Sequence, residues 1–149
     1  MYGLVSISTF LFMEFVAWFT HKYVMHGFLW YLHKDHHQKP VDRVMEKNDL
    51  FFLIFATPGI ACVMLGMGEN NFLFEIGVGI SLYGLGYFFI HDLFIHQRLK
   101  VLKKTTNRYL LGVRRAHKIH HKNRFKENGE CFGMLIVPFK YFRKARKLN

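Results

Sequence analysis

Apolar residues run in three long blocks rather than alternating with polar ones. Tyr2 to Phe19 carries a single charge, Glu14; Leu50 to Met67 carries none; Phe72 to Ile90 carries only Glu75, near its start. Each block is close to the roughly 20 residues a helix needs to cross a hydrocarbon core of about 30 Å. The pattern predicts three membrane helices, the second kinked at Pro58, because proline lacks the N–H and crowds the turn before it. A fourth apolar run, Cys131 to Phe139, has only nine residues and holds Pro138. Too short to span, it reads as interfacial or re-entrant. The expected fold is an all-α integral membrane helical bundle of three membrane helices, or four if this last run also crosses.

The polar positions orient the bundle. All 21 lysines and arginines fall at Lys22, within 34–47, within 98–126 or within 140–147. The turn Gly68-Glu69-Asn70-Asn71 has none. Because basic loops stay on the cytoplasmic side, the N-terminus and that turn are expected to face outward. Segment 33–47 and everything after about residue 97 would then face the cytoplasm, which in a bacterium means a multi-pass protein of the inner (plasma) membrane. No basic stretch precedes the first apolar block, so it reads as a retained membrane helix rather than a cleaved signal. Tyr141 and Phe142, followed by Arg143, Lys144, Arg146 and Lys147, read as an interface anchor.

Composition sharpens this picture. The chain has 149 residues, enough for one domain (1–149), and combines 51% apolar residues with a formal net charge of +11. Beside three membrane helices, such a charge points to anionic lipid headgroups or an acidic partner protein rather than to nucleic acid. The two cysteines, Cys62 and Cys131, have no ligand spacing and read as free thiols.

The ten histidines form a duplicated pattern: His21-x4-His26 and His33-x2-His36-His37, then His91-x4-His96 and His117-x2-His120-His121. No histidine lies outside these four clusters, and all four are expected on one side of the membrane, as a cytoplasmic histidine-rich cap. Lone histidines in such a chain are usually interfacial, but chance does not repeat two spacings twice. On a helix each H-x2-HH trio lies within an arc of about 100°. Residues five apart diverge on a straight α-helix, so at each H-x4-H the helix frays, takes a π-bulge, or sends its rings to the centre from different sides. Imidazole suits iron, copper, zinc and nickel, and the lack of thiolate ligands argues against iron–sulfur and structural zinc sites. Ten ligands exceed one metal's shell and suit two metals with open positions. Open, redox-active iron could bind dioxygen and attack unactivated C–H bonds.

Three acids lie near the clusters. Glu14 is seven residues before His21; a carboxylate in a membrane helix points into the bundle by default, to hold a polar residue or relay a proton. Asp35 and Asp92, inside the clusters, are candidates to accept the second ring N–H of a ligand, or else lie in solvent. Glu75 reads as interfacial. Gly77, Gly79, Gly84 and Gly86 in the third block mark close helix packing or a groove for a long apolar chain.

These residues carry a resemblance. Met13-Glu14, His21-Lys22-Tyr23-Val24-Met25-His26-Gly27, His33-x2-His36-His37, Asn48-Asp49-Leu50, Tyr83-Gly84-Leu85, His91-Asp92-x3-His96-Gln97-Arg98, Ala116-His117-x2-His120-His121 and Cys131-Phe132-Gly133 are similar, in order, to motifs of the fatty-acid hydroxylase superfamily of membrane di-iron enzymes. Within it, the chain most resembles the bacterial non-haem β-carotene hydroxylases. The resemblance implies a non-haem di-iron monooxygenase with two iron ions and dioxygen as co-substrate. It would hydroxylate C3 of the β-ionone ring of a carotenoid in the bilayer, turning β-carotene into β-cryptoxanthin and zeaxanthin, with reduced ferredoxin as electron donor. Two rivals remain: a hydroxylase or desaturase of another lipid, such as a fatty acyl chain or sterol, and a non-catalytic membrane protein that binds metal or haem.

Overall fold

The computed structural model describes residues 2–38, 45–68, 71–99 and 104–143. Helix α1 (Tyr2–Phe19) runs into a π-helical segment, Thr20–Phe28, and then into α2 (Trp30–His37). A 3-10 turn over Lys47–Asp49 opens α3 (Leu50–Gly66). Next, α4 (Phe72–Tyr87) continues as a second π-helical segment, Phe88–Ile95. Then come α5 (Arg108–Lys122) and a 3-10 turn, Phe139–Phe142. There is no strand among the described residues.

Three helical stretches are long and apolar enough to cross a membrane: Gly3–Phe28, Lys47–Gly66 and Phe72–Ile95. At about 1.5 Å per residue the first and third are roughly 39 and 36 Å long, more than a hydrocarbon core of about 30 Å. Both are therefore longer than the apolar slab, and both end in a π-helical segment that carries histidines. Leu11, Phe12, Leu65 and Phe89 stand more than half exposed, an arrangement that costs nothing against lipid. Helix α3 runs unbroken through Pro58.

Helix α4 packs against both α1 and α3, and two glycines let it approach. A Cβ on Gly77 would lie 2.6 Å from Val63 N and 2.8 Å from Gly59 O; on Gly79 it would lie 2.6 Å from Ser6 O. These two serve close packing. At Gly84 and Gly86, on opposite sides of α4, a Cβ would meet nothing within 4 Å, so neither is needed for close packing. Gly77→Val is expected to destabilise the bundle by about 1–3 kcal/mol through overpacking, whereas Gly84→Ala leaves it unchanged; thermal inactivation of the protein in detergent separates the two.

Glu75 turns inward in the first turn of α4, only 9% exposed, where the Ser6 hydroxyl donates to its carboxylate and, at 3.0 Å, to its carbonyl. Desolvation makes this partner necessary, so Glu75 is a helix–helix contact rather than a free interfacial acid.

The run 131–139 is neither a helix nor a span. It is an irregular strap held by Glu14: the carboxylate of this buried residue accepts the N–H groups of Met134 (2.9 Å), Leu135 (3.0 Å) and Ile136 (2.9 Å), and the Tyr83 hydroxyl at 2.7 Å. Three N–H groups that no regular structure pairs thus find an acceptor. Met134, Val137 and Tyr141 then pack with Phe94, Ile95, Val113 and Ala116 in the main core, between α5 and the second π-helical segment. Tyr141, at 4% exposure, is a core residue and not a free interface anchor; Lys144, Arg146 and Lys147 lie outside the described residues, as do 39–44 of the first basic segment and Glu69 and Asn70 of the outer turn.

Candidate metal centre

The π-helical segments resolve the H-x4-H spacing. In a π-turn the bond runs from residue i to i+5, and here Leu29 N donates to Val24 O at 3.0 Å and His96 N to His91 O at 2.9 Å. Residues five apart come to one face, so each pair of rings can point the same way. The two trios lie on α2 and α5, and all ten histidines converge.

They converge as two groups. His21, His26, His33, His37 and His120 bring one ring nitrogen each to within 4.8 Å of one another, and so do His36, His91, His96 and His117. The grouping does not follow the repeat. His36 leaves its own half of the sequence to join the second group, and His120 leaves its half to join the first. Helical geometry explains the exchange: neighbours in sequence project about 100° apart, so His37 stays beside His33 while His36 turns to the other side. His121 touches both groups, stacked on the His37 ring at 4.5 Å and lying 4.4 Å from that of His117.

Most of the rings have an oxygen acceptor behind them. Nδ1 of His21 faces Phe132 O (3.0 Å), that of His26 faces Lys126 O (2.9 Å), that of His37 faces Asn123 O (2.8 Å) and that of His120 faces Glu130 O (3.0 Å). His33 faces Asn48 Oδ1 at 2.6 Å, His36 faces Glu46 Oε2 at 2.7 Å and His91 faces Asp92 Oδ2 at 3.2 Å. These oxygens accept only, so each Nδ1 carries the proton and each Nε2 presents a lone pair. Yet Nε2 atoms meet at 3.2 Å between His21 and His33, 3.1 Å between His26 and His37, and 3.1 Å between His36 and His91. Lone pairs facing one another repel. Buried Nε2 atoms of His120 and His121 have no hydrogen-bond partner. A donor set of this kind fits a cation in each group.

Burial favours the neutral form of the rings on α2 and α5. Burial holds His33, His36 and His117 well below the ordinary imidazole range. It lowers His37 to about 4 and His120 to about 3, and lowers His121 as well. Neutral imidazole is the form that binds metal. Burial pushes the Cys131 thiol up to about 11, so the free thiol is protonated at neutral pH. Phe132 closes the first group edge-on, its ring 5.4 Å from His21, 5.1 Å from His26 and 5.2 Å from His120.

Of the acids read from the sequence, Asp92 lies behind His91. Glu14 acts at one remove, through the strap that carries the Phe132 carbonyl. Asp35 does something else: its Oδ2 accepts the Lys47 N–H at 2.7 Å and so fixes the entry to α3. Sequence reasoning missed Glu46 and the role of Asn48 as acceptors, and the four carbonyls between residues 123 and 132. The acid Glu46 next to Asn48-Asp49 was a signal available for the first two; a carbonyl has no residue signature.

The fatty acid hydroxylase family profile matches residues 6–140. A β-carotene hydroxylase of Pseudescherichia vulneris is 39% identical over 147 residues, 99% of this chain and 80% of its own length. One from Pantoea ananas is 38% identical over 136 residues, covering 91% of this chain and 77% of its own. A chloroplastic β-carotene 3-hydroxylase from an Oncidium hybrid cultivar is 38% identical over 128 residues, 83% of this chain; the chain spans only 41% of that plant protein. No solved structure matches the chain significantly.

Proposed function

The chain belongs to the fatty acid hydroxylase family, and on that footing we propose that it hydroxylates the β-ionone rings of β-carotene at C3, giving β-cryptoxanthin and then zeaxanthin. The observation that carries the chemistry is the pair of converging histidine groups with opposed lone pairs. The ring substrate rests on the names of relatives that match nearly the whole chain.

In this reading all ten histidines hold two irons: His21, His26, His33, His37 and His120 one, and His36, His91, His96, His117 and His121 the other. Given dioxygen, two electrons and two protons, two irons held there would supply the oxygenating chemistry that puts one oxygen atom into a C–H bond and the other into water. The chain does the rest. Carbonyls, Asn48, Glu46 and Asp92 fix ring orientation and tautomer, which raises the basicity of Nε2. Phe132 and Trp30, the latter 5.0 Å from His26 and 5.4 Å from His37, keep water from the first group. Three spans, two of which end in histidine-bearing segments, support a centre at the boundary of the lipid in which a carotenoid dissolves. The open space at Gly84, two helical turns before His91 and on nearly the same side of the helix, gives an apolar chain room to approach.

Residues 1–149 act as one domain, set in the inner membrane with the histidines on the cytoplasmic side, an orientation that the distribution of basic residues supports. A reduced ferredoxin supplies the electrons. Arg114, Arg115, Lys118 and Lys122 line a shallow depression on α5 beside His121, and such a basic surface steers an acidic donor.

Expression in a bacterium that accumulates β-carotene, followed by chromatography of the pigments, tests the reaction. Cryptoxanthin and zeaxanthin are expected. Unchanged β-carotene, with iron-loaded protein in the membrane, would move the assignment to another lipid such as a fatty acyl chain or sterol.

A further inference from the structure

The two histidine groups are backed by unlike partners. In the first, His21, His26, His37 and His120 donate to backbone carbonyls and His33 to the Asn48 side-chain oxygen, all neutral acceptors. In the second, His36 donates to the Glu46 carboxylate at 2.7 Å and His91 to that of Asp92 at 3.2 Å. Both acids are withdrawn from solvent, their side chains 3% and 16% exposed.

Arg98 fixes this pair. Its Nε lies 2.9 Å from Asp92 Oδ1 and its Nη2 lies 3.6 Å from Glu46 Oε2 and 2.5 Å from Asp49 Oδ1. Asp49 in turn accepts the Glu46 N–H at 3.0 Å. One guanidinium thus orders three carboxylates behind one group of histidines.

A carboxylate behind an imidazole does more than orient it. Partial transfer of the Nδ1 proton raises the electron density at Nε2, and the negative charge acts across a poorly screened interior. A neutral carbonyl supplies orientation without charge. We propose that the two metal positions are electronically unequal: the group of His36, His91, His96 and His117 favours the more highly charged ion, Glu46 and Asp92 make it so, and Arg98 is their positioning residue. The inference rests on the two-metal reading above. Removing one electron from the diferrous protein, with ferricyanide as the acceptor that becomes ferrocyanide, leaves the ferric ion in the second group.

Full-length protein loaded with iron-57 in detergent and followed by Mössbauer spectroscopy during a ferricyanide titration tests this. Two ferrous doublets of equal area are expected, one of which converts first. Glu46→Gln keeps an oxygen available to the ring but removes the charge, and should cut the oxidised-to-reduced ratio of that ion at least tenfold, a shift of 59 mV for a one-electron couple. Asn48→Asp places a carboxylate behind His33 and should make the other doublet easier to oxidise. If Glu46→Gln fails to accumulate in membranes, Asp92→Asn carries the same expectation. Wild-type doublets that oxidise together, or variants that move neither doublet or the same one, overturn the inequality. A wild-type protein with fewer than two irons defeats the two-metal reading itself, whatever the pigments show.

Discussion

His36→Ala and His120→Ala are each expected to reduce hydroxylated pigment by more than about 100-fold, because loss of a ligand's outer partner alone costs roughly 10–100-fold. The middle histidine of each H-x2-HH trio looks dispensable in the sequence, since a neighbour stands ready beside it. In the fold it is the residue that crosses over. His36 comes from α2 to a group otherwise built from His91, His96 and His117, and His120 comes from α5 to the group of His21, His26, His33 and His37. Neither His37 nor His121 can take the vacated place without unstacking from the other, their rings being 4.5 Å apart and 13° from parallel. Pigment chromatography reads the loss, and immunodetection of the variants in membranes separates it from failure to accumulate. A variant that keeps a tenth or more of the product would show that the exchange is not needed.

Glu14→Ala is expected to be nearly as damaging, by a different route. The substitution leaves the N–H groups of Met134, Leu135 and Ile136 and the Tyr83 hydroxyl without their common acceptor. An unsatisfied buried donor costs about 1–3 kcal/mol, so even partial relaxation leaves a loss of about 3 kcal/mol or more. The strap would detach, taking with it the Phe132 carbonyl behind His21 and the Phe132 ring over the first group. Glu14→Gln retains one acceptor oxygen and should fall between wild type and alanine. Limited proteolysis within 125–140 of the protein in detergent measures the release: rapid cleavage in Glu14→Ala and slow cleavage in wild type are expected, and equal rates would contradict the anchor.

Much of this was legible in the sequence. The three apolar blocks gave the spans because a bilayer tolerates little else over about 20 residues. The four histidine clusters pointed to one shared site because no structural role explains two spacings used twice, and in the fold the rings do converge. What escaped had physical reasons. The π-helical ends could not be chosen over fraying, since backbone register leaves no residue signature. The exchange of His36 and His120 depends on how α2 and α5 face one another, which spacing along one helix does not contain. Run 131–139 shows in sequence only as a short apolar stretch; in the fold Met134 and Val137 pack in the core, Ile136 and Phe139 stay exposed, and its amides bind Glu14. Asp35 and Asp92 look alike in sequence, each beside a histidine, but only Asp92 lies behind a ring; Asp35 meets the Lys47 amide instead.

The most direct test of the centre is the iron content of the purified, detergent-solubilised protein, read with its absorption spectrum. Two irons per chain and no Soret band are predicted. A haem spectrum, or a single iron that survives in both His36→Ala and His120→Ala, would contradict two metals shared across the two halves of the chain.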